Sequence, residues 1–166
     1  MLRSRGHQVT LDLVGTPAPG VEWFQEQLHA RAAEPDLAGA VTFSGYVAPV
    51  WPSLEQADVI LAPSLGESFG NAVVEGQLAG RPVVATALQG HLETVVDEES
   101  GLLVQPGDPA ALAAAVERLL EDPPWAARLA QQGQQSATAN FSVERYRREI
   151  AVALDEVAHP GAPLRR

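Results

Sequence analysis

The sequence predicts an α/β protein built on a parallel sheet covered on both faces by helices. Two observations carry that prediction. Short β-branched runs alternate with stretches of helical spacing along most of the chain. One apolar run, Asp58-Val-Ile-Leu-Ala-Pro63, also leads into a Gly-containing turn and then a helical pattern, the arrangement that places ligands beyond the carboxyl ends of parallel strands.

Taken in order, Val9–Val14 reads as a strand closed by Gly15-Thr-Pro, and 21–34 as a helix with Val21, Phe24 and Leu28 at helical spacing. Val41–Ser44 is a second strand ending at Gly45, and a short helix over 51–57 precedes a third strand at 58–62. The turn then opens a helix from about Phe69 to Leu78, followed by a strand at 82–86. A helical turn over 91–96 and a brief strand at 101–104 complete the set of five strands. Asp108-Pro109 starts a helix that ends near Glu121, because aspartate caps free N–H groups and proline suits the first helical position. Asp122-Pro-Pro starts another, and Ser142 starts the last, with Val143, Tyr146, Ile150 and Leu154 on one face. The folded domain is expected over 1–157, with 158–166 as a flexible tail.

Composition narrows the function. At 166 residues and 46% hydrophobic content the chain has enough apolar material for one core. A net charge of −10 argues against binding nucleic acid through bulk electrostatics. Arg145, Arg147 and Arg148 form a short basic cluster that reads as the solvated face of a helix. Cysteine is absent, as is any apolar run near the ~20 residues that span a bilayer, and a cytoplasmic protein is expected. The four histidines are too scattered in sequence for a metal site, and no metal is expected. Lysine is absent altogether.

The densest chemical signal is Gly66-Glu-Ser-Phe-Gly-Asn-Ala-Val-Val-Glu-Gly76. A turn at a helix N-terminus collects free backbone N–H groups and the positive end of the dipole, so it suits an anion. Glu67 and Glu75 can then take hydroxyl groups on whatever carries the anion, which points to a nucleotide sugar. A continuous helix between them would put ~12 Å of rise between the two carboxylates. That exceeds the ~5 to 9.5 Å of a hydrolytic glycosidase pair. Gly66-Glu-Ser-Phe-Gly70 also matches a nucleophile elbow, with Ser68 as nucleophile and Asp97 or Asp108 with His159 as partners. Pro63-Ser-Leu between strand and turn argues against it, since an elbow springs directly from the strand end.

Glu67-Ser-Phe-Gly-Asn-Ala-Val-Val-Glu75, followed by Ala79-Gly-Arg-Pro-Val-Val-Ala-Thr86, resembles the E-x7-E signature of family 4 retaining glycosyltransferases of the two-Rossmann-domain (GT-B) architecture. Val41-Thr-Phe-Ser-Gly-Tyr-Val47, Ala57–Ser64 and Gly101–Asp108 resemble that family's C-terminal, donor-binding domain in order and spacing. The resemblance runs from about Val9 to Val157 and implies a Rossmann-like domain lacking its first, central strand. Loss of that strand would leave two half-sheets with unpaired inner edges, which also allows a homo-oligomer.

The resemblance implies roles. Glu67 would sit in the catalytic site against hydroxyls of the transferred sugar. Ser68, Phe69, Gly70 and Asn71 would offer N–H groups to diphosphate and sugar, Glu75 would bind the ribose, and Tyr46 and Val47 the nucleobase. The implied activity is transfer of a hexosyl group from a nucleoside-diphosphate sugar, with retention and without a metal or other cofactor. The chain alone is expected to be inactive, because the acceptor domain and the family's Arg…Lys phosphate clamp are absent from it; either a missing N-terminal domain or a partner chain would supply them. Membrane association would come only through that absent part. The alternatives are a non-catalytic nucleotide-sugar-binding module acting with a separate chain, and a sugar-nucleotide epimerase. The family often carries paired glycines where this chain has Gln89-Gly90.

Overall fold

Five strands form, but in two separate parallel sheets. The computed structural model describes residues 1–159 and divides into two compact units, Met1–Ser53 and Leu54 onward. Beyond a 3₁₀ turn at Arg3–Arg5, which the sequence pattern does not announce, the elements are those expected with ends moved by no more than two residues; the strand expected at 41–44 extends to Gly45 and the helical turn expected over 91–96 lies at 89–94.

In the first unit, β1 (Leu11–Val14) pairs in parallel with β2 (Val41–Gly45), with Leu13 opposite Phe43 and a register shift before Val14. Helix α1 (Glu22–Ala32) connects them. Phe43 stacks on His29 with ring centroids 3.8 Å apart. Ser44 donates to Asp12 across the strands at 2.6 Å. Only Ala40 of this unit is buried, while Trp23 and Phe24 are exposed.

The second unit holds the core. β3 (Ile60–Ala62), β4 (Val83–Thr86) and β5 (Leu102–Val104) form a parallel sheet in the order β3-β4-β5. The central strand β4 is buried at all four residues, as expected of a β-branched run covered on its faces. Ile60, Ala62, Val73, Val83, Ala85 and Val95 cluster there, with Leu54, Ala57 and Leu103 packed against them. The division between units falls inside α2 (Trp51–Gln56).

Helix α3 (Asn71–Leu78) packs on β3 and β4, and α5 (Pro109–Glu121) on β4 and β5. Gly76 lets α3 approach closely: a Cβ there would come within 3.0–3.2 Å of the Ile60 side chain. The expected caps form. Asp108 accepts from the N–H groups of Ala110 and Ala111, and Asp122 from that of Trp125 at the start of α6 (Pro123–Asn140). Ser142 accepts from Arg145 N–H at the start of α7 (Val143–Ala158).

Gln77, fully buried on α3, donates to the carbonyls of Thr94 and Ser100 at 3.0 and 3.1 Å, tying the stretch before β5 to the helix. No residue of α7 is buried, and Arg145 on it pairs with Glu149, so the basic cluster lies on an exposed helix. Residues 160–166, most of the tail expected at 158–166, lie outside the described residues. No described helix is long and apolar enough to cross a membrane.

Candidate functional site

The carboxyl ends of β3 and β4 meet at a loop built from Pro63 to Gly70. Thr86, the last residue of β4, is buried and donates its hydroxyl to the Ser64 carbonyl at 2.8 Å, which fixes the start of the loop. Gly70 ends it in the left-handed region, with φ at 97° and ψ at 51°, as the N-cap of α3. Glycine populates that region without the Cβ penalty of other residues.

Glu67 lies in this loop, ahead of α3, and not on it. Of the stretch between the two carboxylates, only the five residues from Asn71 to Glu75 are helical, four steps with about 6 Å of rise. The separation expected from an unbroken helix is therefore corrected: the helix starts late because Gly70 in the left-handed region caps it.

The Glu67 carboxylate turns back over its own loop. Its Oε1 accepts from the backbone N–H groups of Ser68, Phe69 and Gly70 at 3.1, 3.3 and 3.1 Å. These donors, foremost the Phe69 N–H, hold the carboxyl below its ordinary value of 4.5; partial burial opposes them, and the nearby His91 charge adds to the lowering. The loop is thus an anion nest, and in this structure the anion is the chain's own carboxylate. Ser68, Phe69 and Gly70 have the N–H groups expected for a ligand, but those groups already face Glu67.

Two residues that the local pattern did not single out make this geometry. Gly90, near the start of α4 (Gln89–Thr94), lies against the loop: a Cβ on it would stand 2.4 Å from the Phe69 nitrogen and 2.6 Å from the Ser68 carbonyl carbon. Only a residue without a side chain fits there, so of the Gln89-Gly90 pair the second position is the one the packing demands. His91 follows it and is 1% exposed. Its Nδ1 lies 2.7 Å from the Thr86 carbonyl, which can only accept, so Nδ1 carries the proton. Nε2 faces Glu67 Oε2 at 3.9 Å.

The other expected site residues spread outward. Phe69 is packed edge-on against Phe141 with centroids 5.4 Å apart. Asn71 is exposed at the first turn of α3. Glu75 is half-buried on α3 and makes no hydrogen bond or ion pair to another described side chain. Tyr46, 78% exposed, and the half-buried Val47 follow β2 in the first unit.

The alternative triad does not assemble. His159 pairs with Asp155, while Asp97 and Asp108 spend their carboxylates on backbone N–H groups of Leu103 and of α5. Three residues separate the end of β3 at Ala62 from Gly66, so Ser68 does not spring from a strand.

A parallel α/β unit with an anion nest beyond its strand ends defines a class of nucleotide-ligand domains. Residues 1–122 match the family described as Glycosyl transferases group 1, and the chain belongs to that family. Among curated relatives, the lipopolysaccharide core biosynthesis glycosyltransferase LpsE of Rhizobium meliloti is 33% identical over 120 residues, covering 72% of this chain and 35% of LpsE. The D-inositol 3-phosphate glycosyltransferase of Acidothermus cellulolyticus is 41% identical over 113 residues, 67% of this chain and 25% of that protein. Among solved structures, Anabaena Alr3699/HepE in complex with UDP superposes with a TM-score of 0.86 at 31% identity, covering 90% of this chain and 41% of that one. The same protein has been solved with UDP-glucose. The fold is that of the C-terminal Rossmann-like domain of GT-B glycosyltransferases, and this chain spans between a quarter and two fifths of the length of these relatives.

Proposed function

We propose that this chain is the donor-binding domain of a family 4 glycosyltransferase that moves a hexosyl group from a nucleoside-diphosphate sugar to an acceptor with retention. The observation that carries the reading is the nest of Ser68, Phe69 and Gly70 N–H groups with Glu67 seated on it at the strand ends. In this reading the three N–H groups hold the carboxylate toward the sugar, and the positive N-terminal end of α3 is left to the departing diphosphate, which needs no metal. A carboxylate already fixed by three donors presents its outer oxygen as a rigid acceptor for sugar hydroxyls. The roles the resemblance implies for Glu75 (ribose) and for Tyr46 and Val47 (base) belong to the same proposal, and the UDP and UDP-glucose complexes of HepE support it.

The share of each relative that this chain covers supports a second half, in another domain or a partner chain, that carries the acceptor site. The purified chain is therefore expected not to transfer sugar, and detectable transfer to any acceptor would overturn that expectation. The donor reading is tested by titrating the chain calorimetrically with UDP-, GDP- and ADP-glucose in the presence of EDTA. One base series is expected to bind; heat from none of them sinks the reading.

A further inference from the structure

Among the described residues, Gln77 and His91 are buried side chains with one polar end bonded and the other unpaired, and of the two it is His91 that lies against the nest. Nδ1–H is spent on the Thr86 carbonyl. Nε2 has no hydrogen-bond partner although the side chain is 1% exposed. A buried polar atom left unpaired costs free energy, so its direction calls for a reason. The ring lies directly under the nest: a Cβ on Gly70 would meet His91 Cδ2 at 2.8 Å and Nε2 at 3.4 Å. Beyond Nε2 stands Glu67 Oε2, the carboxylate oxygen that the three loop N–H groups do not hold. Ser64 Oγ, 3.5 Å from the same oxygen, is at the outer limit of contact.

With the Nδ1 proton fixed, Nε2 is either a lone pair on the neutral ring or an N–H on the imidazolium. Only the N–H form is attracted to a carboxylate. In its N–H form Nε2 is a donor aimed at the one oxygen of the Glu67 carboxylate that the loop N–H groups leave free. Burial fixes the ring, and Thr86, at the end of the central strand, fixes its rotation.

We propose that His91 is a positioning residue for Glu67: through Nε2 it holds Oε2 so that the carboxylate stays on the Ser68, Phe69 and Gly70 N–H groups in the orientation that meets a donor's sugar hydroxyls. The sugar half of this assignment rests on the donor-binding reading above; the His91–Glu67 coupling does not.

The substitutions that separate anchoring from mere packing are His91→Asn and His91→Gln. Asparagine places its amide near the Nδ1 position and keeps the Thr86 contact alone; glutamine reaches the Nε2 position and keeps a donor toward Glu67. Amide resonances of Ser68, Phe69 and Gly70 in the full chain are expected to move in His91→Asn toward their positions in Glu67→Gln, and to stay near wild type in His91→Gln. UDP-glucose affinity is expected to fall about tenfold in His91→Asn while affinity for UDP alone is kept, and to recover partly in His91→Gln. Wild-type amide positions and an unchanged UDP-glucose to UDP ratio in His91→Asn would overturn the proposal.

Should both histidine variants fail to fold, the His91 ring nitrogens are observed directly in wild type and in the loop variant Glu67→Gln. The Nε2 resonance is expected to shift and Nδ1 to hold; an unmoved Nε2 rejects the coupling. Failure of the wild-type chain to bind UDP-glucose, with the coupling intact, removes the donor reading and leaves His91 as the anchor of the loop.

Discussion

The two units use the same vocabulary, parallel strands joined by helices, and reach opposite results. In Leu54 onward, β4 is buried at every residue and helices α3 and α5 pack on the sheet. In Met1–Ser53, two strands and one helix bury a single alanine and leave Trp23, Phe24, Leu11 and Val14 exposed. The difference is one of layers more than of composition. A two-stranded sheet has two edges and no central strand, and one helix covers only part of it, so its apolar side chains find few partners. A third strand creates a centre, and the second unit gains a core from residues no more hydrophobic than those of the first.

That contrast can be broken most directly by hydrogen exchange on the whole chain. Amides of Val83–Thr86 are expected to exchange on the order of a thousandfold more slowly than those of Leu11–Val14, because local opening ranges from near zero to the full unfolding free energy. Similar rates in β1 and β4 would mean that the first unit is stabilised as well as the second. The next effect concerns the site alone. Gly90→Ala drives a Cβ into the backbone of Phe69 and Ser68, and about 1–3 kcal/mol of destabilisation is expected from such overpacking. Chemical denaturation reads that loss, and UDP-glucose titration should read a displaced nest alongside it.

Acidification acts on both units through carboxyl groups. A carboxyl whose folded-state pKa is depressed contributes stability above its ordinary pKa and loses it as pH falls through the folded value. For Glu67 the backbone N–H groups of Phe69, Gly70 and Ser68 depress it below 4.5, so its contribution is complete above that pH and fades below it. The Ser68–Gly70 amides are therefore expected to lose their carboxylate-bonded shifts below about pH 4.5, and Glu67→Gln should show the acid pattern at neutral pH. Glu22 and Asp36 in the first unit shift in the same direction, the one through backbone N–H groups of its own residue and Gly20, the other through Arg31. The smallest effect belongs there. Arg31 and Asp36 pair at 2.7 Å with more than two fifths of each side chain exposed, so Asp36→Asn is expected to leave the thermal unfolding midpoint nearly unchanged.

Much of this molecule is legible in its sequence because much of it is local. Asp108, Asp122 and Ser142 are caps within three residues of the N–H groups they satisfy, and each forms as the sequence predicts. The apolar runs at 83–86 and 102–104 and the turn before α3 likewise follow from patterns a few residues long. The division into two sheets followed from the resemblance, which left a place for a strand between them. The start of α3 at Asn71, two residues after the expected one, is set by the left-handed backbone of Gly70, which the pattern around it leaves open.

How the loop is held follows from packing between distant segments. Gly90 against the Phe69 nitrogen, and His91 beneath Gly70 with Nε2 toward Glu67, join residues more than twenty positions apart. No periodicity or spacing encodes such a contact, because it exists only once β3 and β4 lie side by side and deliver their loops to the same end of the sheet. Local pattern suffices for an anion-collecting turn with one carboxylate in it and a second on the helix that follows. The packing of β4's own continuation under that turn decided that one of the carboxylates would sit on it.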